Sequence, residues 1–319
     1  MMYLEKYTLI IPRWNKYNPN FFYFTKKDID HCILLISKNE KIIYTNEMNY
    51  ELCKKELGNK FQIKKMKINE IKDELKKRNE KYLIDGSIPA YLFLKIRCKN
   101  MKIGYNEFKE MREVKEKDEI EKIKKGTKIT REMVEKTNVI GKYEYEIRNE
   151  ILLKTFKKGL DKSFEPIIAN SSNAKFPHYN EYKSKVNDYC LIDYGIEFEK
   201  YKTDITRCNG NLGKRREEYE KLISLTYEIA DSSHSGMKIS EFVEDVNKII
   251  LKNKLKKFNH SIGHGIGLEV HEFPVFNIKN KDILKENSVV CIEPGQYDKK
   301  SGIRYEEMFL VKKNKLKKI

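Results

Sequence analysis

His260-Ser261-Ile262-Gly263-His264-Gly265-Ile266-Gly267-Leu268-Glu269-Val270-His271-Glu272 holds three of the chain's six histidines within twelve residues. Glycines at 263, 265 and 267 strip bulk from around His264. Glycine inside strand-like text marks a place where a ligand or another backbone comes close. Strict alternation cannot put the imidazoles at 260, 264 and 271 on one face, so a bend or bulge must redistribute them.

Carboxylates recur around this stretch. In Leu191-Ile192-Asp193 and Thr203-Asp204-Ile205-Thr206, each aspartate sits beside apolar residues. If strands 189–196 and 201–208 form a hairpin closed by Glu197 to Lys200, Asp193 faces Asp204. Like charges directly opposite on paired strands are unfavourable, and partial burial adds to the cost. A cation between them reverses the sign. Val289-Val290-Cys291-Ile292-Glu293-Pro294-Gly295 places a further carboxylate at the end of an apolar run, and Gly302-Ile303-Arg304-Tyr305-Glu306-Glu307 adds a pair early in a strand. Four carboxylates and one imidazole match the charge of two divalent cations. Such a donor set suits Mn²⁺, Co²⁺, Fe²⁺ or Zn²⁺. Two close metals can share a water and deliver hydroxide at neutral pH.

The rest of the chain sets the frame. Its 319 residues suit two domains or one large one. An apolar share of 39%, with 20 Tyr and 15 Phe, provides for a real core and argues against disorder. The net charge of +17 is interleaved with acidic residues nearly everywhere and reads as a Lys/Glu-rich soluble surface. Nucleic acid is not an expected partner, since no recognised binding motif accompanies the charge. No apolar run approaches the ~18 residues of a spanning helix, and the first residues lack the apolar stretch of a signal peptide. A membrane is therefore not expected, and a cytoplasmic location is. None of the six cysteines forms a CxxC pair. A cysteine-built zinc site is not expected, and Cys291, within Val-Val-Cys-Ile, reads as a buried reduced thiol.

Residues 1–110 read as a small α/β unit. Strand signals fall at Cys32 to Ser37, Lys41 to Asn46 and Tyr82 to Gly86, with helical spacing from Ile68 to Arg78. The charged stretch from Lys109 to Lys117 marks the boundary. Beyond it, Asp118 is expected to cap a helix with Glu121 as its partner. Further helices are expected at Tyr143 to Lys158, Glu217 to Ala230 and from Ser240, with Val243, Val246 and Ile250 on one face of the last. Strands are expected at Tyr189 to Ile196, Tyr201 to Cys208, Ser288 to Ile292 and Ile303 to Val311. Helices and strands alternate and tight hairpins intervene, so the second part, 111–319, reads as α+β.

Taken in order, and with an 11-residue step between the aspartates, these segments resemble the metallopeptidases that include methionine aminopeptidase, aminopeptidase P and prolidase. Within that group, HSIGHGIGLEVHE is similar to the Xaa-Pro peptidases. The resemblance implies a C-terminal "pita-bread" (creatinase/aminopeptidase) catalytic domain over 111–319, preceded by a smaller creatinase-like N-terminal domain over 1–110. It implies that Asp193, Asp204, His264, Glu293 and Glu306 hold two metal ions, Mn²⁺ first among them. Asp204 and Glu306 would bridge the pair, and Glu293 would also serve as general base for a metal-bridging hydroxide. His271 and His178 match catalytic histidines beside the substrate. His260 and Arg304 match positions on the substrate side or behind the ligands, with Arg304 near Glu306. Alternation cannot choose between Glu306 and Glu307, and the Gly-x-Arg-x-Glu pattern selects Glu306. The implied reaction is cleavage between an N-terminal residue and a following proline, acting on proline-containing peptides as a homodimer. The rival readings are a methionine aminopeptidase and a non-catalytic, peptidase-like protein-binding module.

Overall fold

The computed structural model describes residues 2–256 and 261–319. By its contacts the chain divides into two compact units, Met1–Arg112 and Glu113–Ile319.

The first unit is a six-stranded mixed sheet with five helices. Its strands are β1 (Thr8–Arg13), β2 (Cys32–Ile36), β3 (Lys41–Thr45), β4 (Gln62–Lys65), β5 (Tyr82–Asp85) and β6 (Met101–Gly104), in the spatial order β4-β3-β2-β1-β5-β6. The helices are α1 (Pro19–Thr25), α2 (Glu47–Leu57), α3 (Ile68–Arg78), α4 (Ala90–Ile96) and α5 (Asn106–Met111). The two-residue period of the strands sorts their side chains into two cores. Leu9, Ile11, Leu34, Ile43 and Leu83 pack on one face. Ile10, Ile33, Leu35, Ile42 and Ile84 pack on the other. Both faces are thus covered in the middle of the sheet, which is why β1, β2, β3 and β5 are largely apolar, whereas the edge strands β4 and β6 are more exposed.

The second unit opens with two long helices, α6 (Lys117–Glu135) and α7 (Glu144–Lys157). The cap of α6 lies two residues ahead of the expected Asp118. The Glu119 carboxylate accepts from the backbone N–H of Glu116 at 2.8 Å and from Tyr201 Oη at 2.6 Å. A buried partner from elsewhere in the chain fixes Glu119, and nothing local reveals it. Strands β7 (Asp161–Lys162) and β8 (Ile167–Asn170) follow, then β9 (Tyr189–Tyr194), β10 (Ile196–Phe198), β11 (Tyr201–Lys202) and β12 (Ile205–Gly210). Helices α8 (Arg216–Ser232) and α9 (Ile239–Lys252) come next. On α9 the buried positions are Ile239, Phe242, Val246 and Ile250, with Val243 only partly buried. The last strands are β13 (Gly263–Gly265), β14 (Val289–Ile292), β15 (Gly295–Tyr297), β16 (Gly302–Arg304), β17 (Glu307–Val311) and β18 (Leu316–Lys318).

These strands form small sheets in the orders β12-β9-β8, β13-β14-β17-β18, β11-β10-β7 and β15-β16. Two departures from the sequence reading position the site. The 189–208 hairpin closes on a two-residue turn, Glu199-Lys200, with Phe198 opposite Tyr201. Both turn residues have positive φ, 48° and 75°, which is the backbone of a tight hairpin whose twist matches its strands. The register therefore shifts by two, and Asp193 faces Thr206 rather than Asp204. The expected strand 303–311 is also two strands in two sheets. β16 pairs with β15, β17 pairs with β14, and Tyr305-Glu306 forms the break between them.

Candidate metal centre

The donors come from several strands and from the breaks between them. Asp193 lies near the end of β9, and Asp204 lies between β11 and β12, close to Asp193. The amide of Asp204 donates to Met308 Sδ at 3.3 Å, which fixes its backbone against β17. His264 is the middle residue of β13. Its neighbours must be glycine: a Cβ on Gly263 would stand 1.9 Å from the carbonyl oxygen of Cys291, and one on Gly265 would stand 2.2 Å from the Phe273 backbone. The close approach expected from the glycines is therefore of backbone to backbone. After β13 the chain bends and brings the His271 ring to 4.4 Å from the His264 ring, edge to face. That bend meets the requirement set by the histidine spacing. His260 lies outside the described residues.

Glu306 sits in the break between β16 and β17. Its carboxylate accepts from Thr206 Oγ1 at 2.8 Å. Glu307 turns the other way, onto Arg131 Nη2 at 2.7 Å and Arg207 Nη2 at 2.8 Å. Burial alone would raise the Glu307 pKa, but the two guanidiniums outweigh it and hold it below the ordinary range. Neighbouring acidic residues thus have opposite electrostatic fates, decided by the break in the strand.

One donor atom each from Asp204, His264, Cys291 and Glu306 lies within 4.8 Å of the others. His264 Nε2 is 3.6 Å from Asp204 Oδ2 and 3.9 Å from Glu306 Oε1. A cavity of about 490 Å³ opens here, lined by His178, Asp193, Asp204, His264, His271, Glu293, Arg304 and Glu306 together with Phe164, Ile167 and Pro177. All the described residues singled out from the sequence therefore meet at one cavity. A second cavity, of about 510 Å³, lies in the first unit beside Trp14 and His31.

The electrostatics are those of a site short of positive charge. Burial, then Glu306 and Asp193, push the Asp204 pKa well above the carboxylate range. Burial and Glu306 do the same to Glu293. Burial and Asp193 raise Glu306 to about 7, against the pull of Arg304. Burial, with His271 beside it, lowers His264 to about 4 and keeps the imidazole neutral, the form that binds metals. Asp193 Oδ1 and Asp204 Oδ1 are buried with no hydrogen-bond partner. An orphaned buried carboxylate oxygen is costly, and a cation is the group that these atoms lack. The residues present therefore fit divalent metal ions.

Arg304 lies close enough to Glu306 to pull on its pKa, and it also makes a direct contact that the sequence reading did not include. Its Nη2 donates to Asp193 Oδ2 at 2.5 Å and its Nε to Thr206 Oγ1 at 3.3 Å, so its direct carboxylate partner is Asp193. Tyr297 Oη, 2.9 Å from Arg304 Nη1, completes the clamp. Thr206 carried no readable signal in the sequence, because its contacts to Arg304 and Glu306 span 98 and 100 residues; Tyr297 lies only seven residues from Arg304 but was not singled out. Cys291 was read as core filling, yet its sulfur stands in the donor group.

The chain belongs to metallopeptidase family M24, whose match spans residues 121–313. It is 31% identical to the Xaa-Pro dipeptidase of Pyrococcus horikoshii over 95% of this chain and 90% of that protein. It is 40% identical to an uncharacterized peptidase of Methanocaldococcus jannaschii over 55% of this chain and 53% of that protein. Its fold matches the crystal structure of an X-Pro aminopeptidase from Thermotoga maritima with a TM-score of 0.86, at 26% identity, over 99% of this chain and 96% of that one. The architecture is therefore prolidase-like over its full length, an N-terminal α/β domain and a C-terminal pita-bread domain. Membership of the family implies divalent metal ions and peptide substrates. No helix among the described residues is long and apolar enough to cross a membrane.

Proposed function

We propose that this chain is a metal-dependent exopeptidase that hydrolyses the bond between an N-terminal residue and a following proline. The observation that carries the proposal is the donor group itself, with two buried carboxylate oxygens lacking partners. The full-length likeness to Xaa-Pro peptidases supports the substrate class.

In this reading Asp193, Asp204, His264, Glu293 and Glu306 hold two divalent ions, with Mn²⁺ the first candidate. Bound there, the ions supply Lewis acidity and lower the pKa of a coordinated water. The chain's own residues do the rest. Arg304 and Thr206 hold Asp193 and Glu306 in their orientations, as partners of metal ligands commonly do. With the ions bound, the Glu293 carboxylate accepts the water proton and returns it to the leaving nitrogen. The leaving nitrogen must gain a proton as the C–N bond breaks, and this delivery supplies it. His271 and His178, both exposed at the cavity wall, contact the substrate, with His271 beside the developing oxyanion. A domain boundary near residue 110 and a homodimer complete the reading, and light scattering tests the latter.

The test is release of proline from Ala-Pro and of alanine from Ala-Pro-Ala, with added Mn²⁺ or Co²⁺ and a chelated control. Cleavage of the dipeptide alone identifies a dipeptidase, and cleavage of the tripeptide an aminopeptidase. Silence on both in the presence of metal, with Met-peptides also uncut, overturns the proposal.

A further inference from the structure

We propose that Cys291 is a sulfur donor to the metal centre, adding a thiolate to the carboxylate and imidazole ligands. The inference rests on the reading that the donor group holds metal.

The backbone places the thiol. On β14, Cys291 stands directly opposite His264 on β13 and Met308 on β17. Residues directly opposite on paired strands share a face of the sheet, so the thiol lies on the face that carries the imidazole. Glu293, two residues on, follows on the same side by the period of the strand. The distances agree. In tetrahedral coordination, metal bonds of about 2.0–2.3 Å put donors roughly 3.3–3.8 Å apart. The four donor atoms lie within 4.8 Å of one another, so a contraction of at most about 1–1.5 Å assembles them around one ion. Cys291 is fully buried, which withholds the thiol from reagents in solvent and leaves it facing the cluster. Asp204 Oδ1, 95% buried with its residue, provides the independent sign that a cation belongs here.

On binding, the S–H bond breaks, the sulfur–metal bond forms, and the proton leaves to the buffer. No redox change occurs. A thiolate moves a carboxylate-rich site toward softer ions, Zn²⁺, Co²⁺ and Cd²⁺, relative to Mn²⁺.

The experiment uses the full chain. Metal-free protein is titrated with Co²⁺ and the near-ultraviolet sulfur-to-cobalt charge-transfer band is recorded. Cys291→Ser is expected to lose the band and the preference for Cd²⁺ over Mn²⁺, while Cys98→Ser in the first unit retains both. In case Cys291→Ser fails to fold, X-ray absorption of the Zn²⁺-loaded wild type gives the same answer. A sulfur scatterer at about 2.3 Å, against about 2.0–2.2 Å for nitrogen and oxygen, is expected. Bound metal with nitrogen and oxygen scatterers alone overturns this inference and leaves the peptidase reading standing. Failure to bind any metal overturns both.

Discussion

Replacing Glu306 by Gln should stabilise the metal-free protein at neutral pH while abolishing its activity. Burial and the Asp193 carboxylate raise the Glu306 pKa from 4.5 to about 7 in the folded chain. The folded state therefore binds a proton that the unfolded state has already released. Between those two pKa values folding takes up a proton, so stability falls as pH rises. Below about pH 4.5 the effect is absent, and above about pH 7 it is complete. At 1.36 kcal/mol per unit, the shift is on the order of 3 kcal/mol. Glutamine keeps the shape without the charge and escapes the loss.

The comparison is between two metal-free proteins at each pH. His264, lowered to about 4, acts with the opposite sign, since its stabilising effect is lost as pH falls below the unfolded value. That contribution is common to both proteins and largely cancels in the difference. The assay is thermal unfolding after chelation, at pH 4.5, 6, 7 and 8. A gain of that size raises the melting temperature by about 6–12 °C for a unit of this length. The two proteins should melt together near pH 4.5 and diverge toward pH 8. Adding Mn²⁺ should narrow or reverse the gap, because the ion relieves the repulsion only where its ligands remain. A Glu306→Gln protein no more stable than wild type at pH 8 without metal would refute the reasoning.

Other perturbations test the supports of the site. Arg304→Met removes the guanidinium that sits 2.5 Å from Asp193. Metal affinity should fall about 10–100-fold, as read by competition with a chromogenic chelator. Lys115→Met removes the cation 3.3 Å from the Glu272 carboxylate, which is fully buried beside His271. The expected loss is about 3–5 kcal/mol in denaturant unfolding, and the double change Lys115→Met with Glu272→Gln should recover part of it. Gly263→Ala places a methyl 1.9 Å from the Cys291 carbonyl oxygen and must open the β13–β14 ladder. It should cost at least about 1–3 kcal/mol and lower metal affinity as His264 moves. Gly141→Ala, where φ is +79° and nothing lies within 4 Å, should cost roughly 1–2 kcal/mol and leave metal binding unchanged.

The sequence by itself determined the kinds of group at the site and the class of fold. Acidic residues set in apolar text, a histidine flanked by glycines, and a proline just after Glu293 are local features, and local chemistry reads them. In the first unit β2, β3 and β5 were legible because both faces of the sheet are covered there and apolar runs and strands coincide; β1 was not read, and the edge strands β4 and β6 carry no apolar run to read. Register was not legible. The Glu199-Lys200 turn carries neither glycine nor asparagine, so nothing local announced positive φ at both positions, and the Asp193–Asp204 pairing slipped by two. The helix cap at Glu116 was missed for a similar reason, since Glu119 is held by Tyr201, 82 residues away.

The motif pattern selected Glu306 over Glu307, but only the tertiary structure showed what separates these two buried neighbours. Glu306 and Glu307 are chemically alike, and a break between two sheets sends one to the donor group and the other to Arg131 and Arg207. It also decided that Arg304 clamps Asp193, and that Cys291 is more than core filling. A thiol in a run of valine and isoleucine carries the same one-dimensional signal wherever its strand lies. What surrounds it depends on which strands pair with it, and those lie 27 residues before it and 17 after it, at His264 and Met308. Spacing along a chain encodes periodicity, whereas the charge balance of a buried site depends on contacts that only folding brings together.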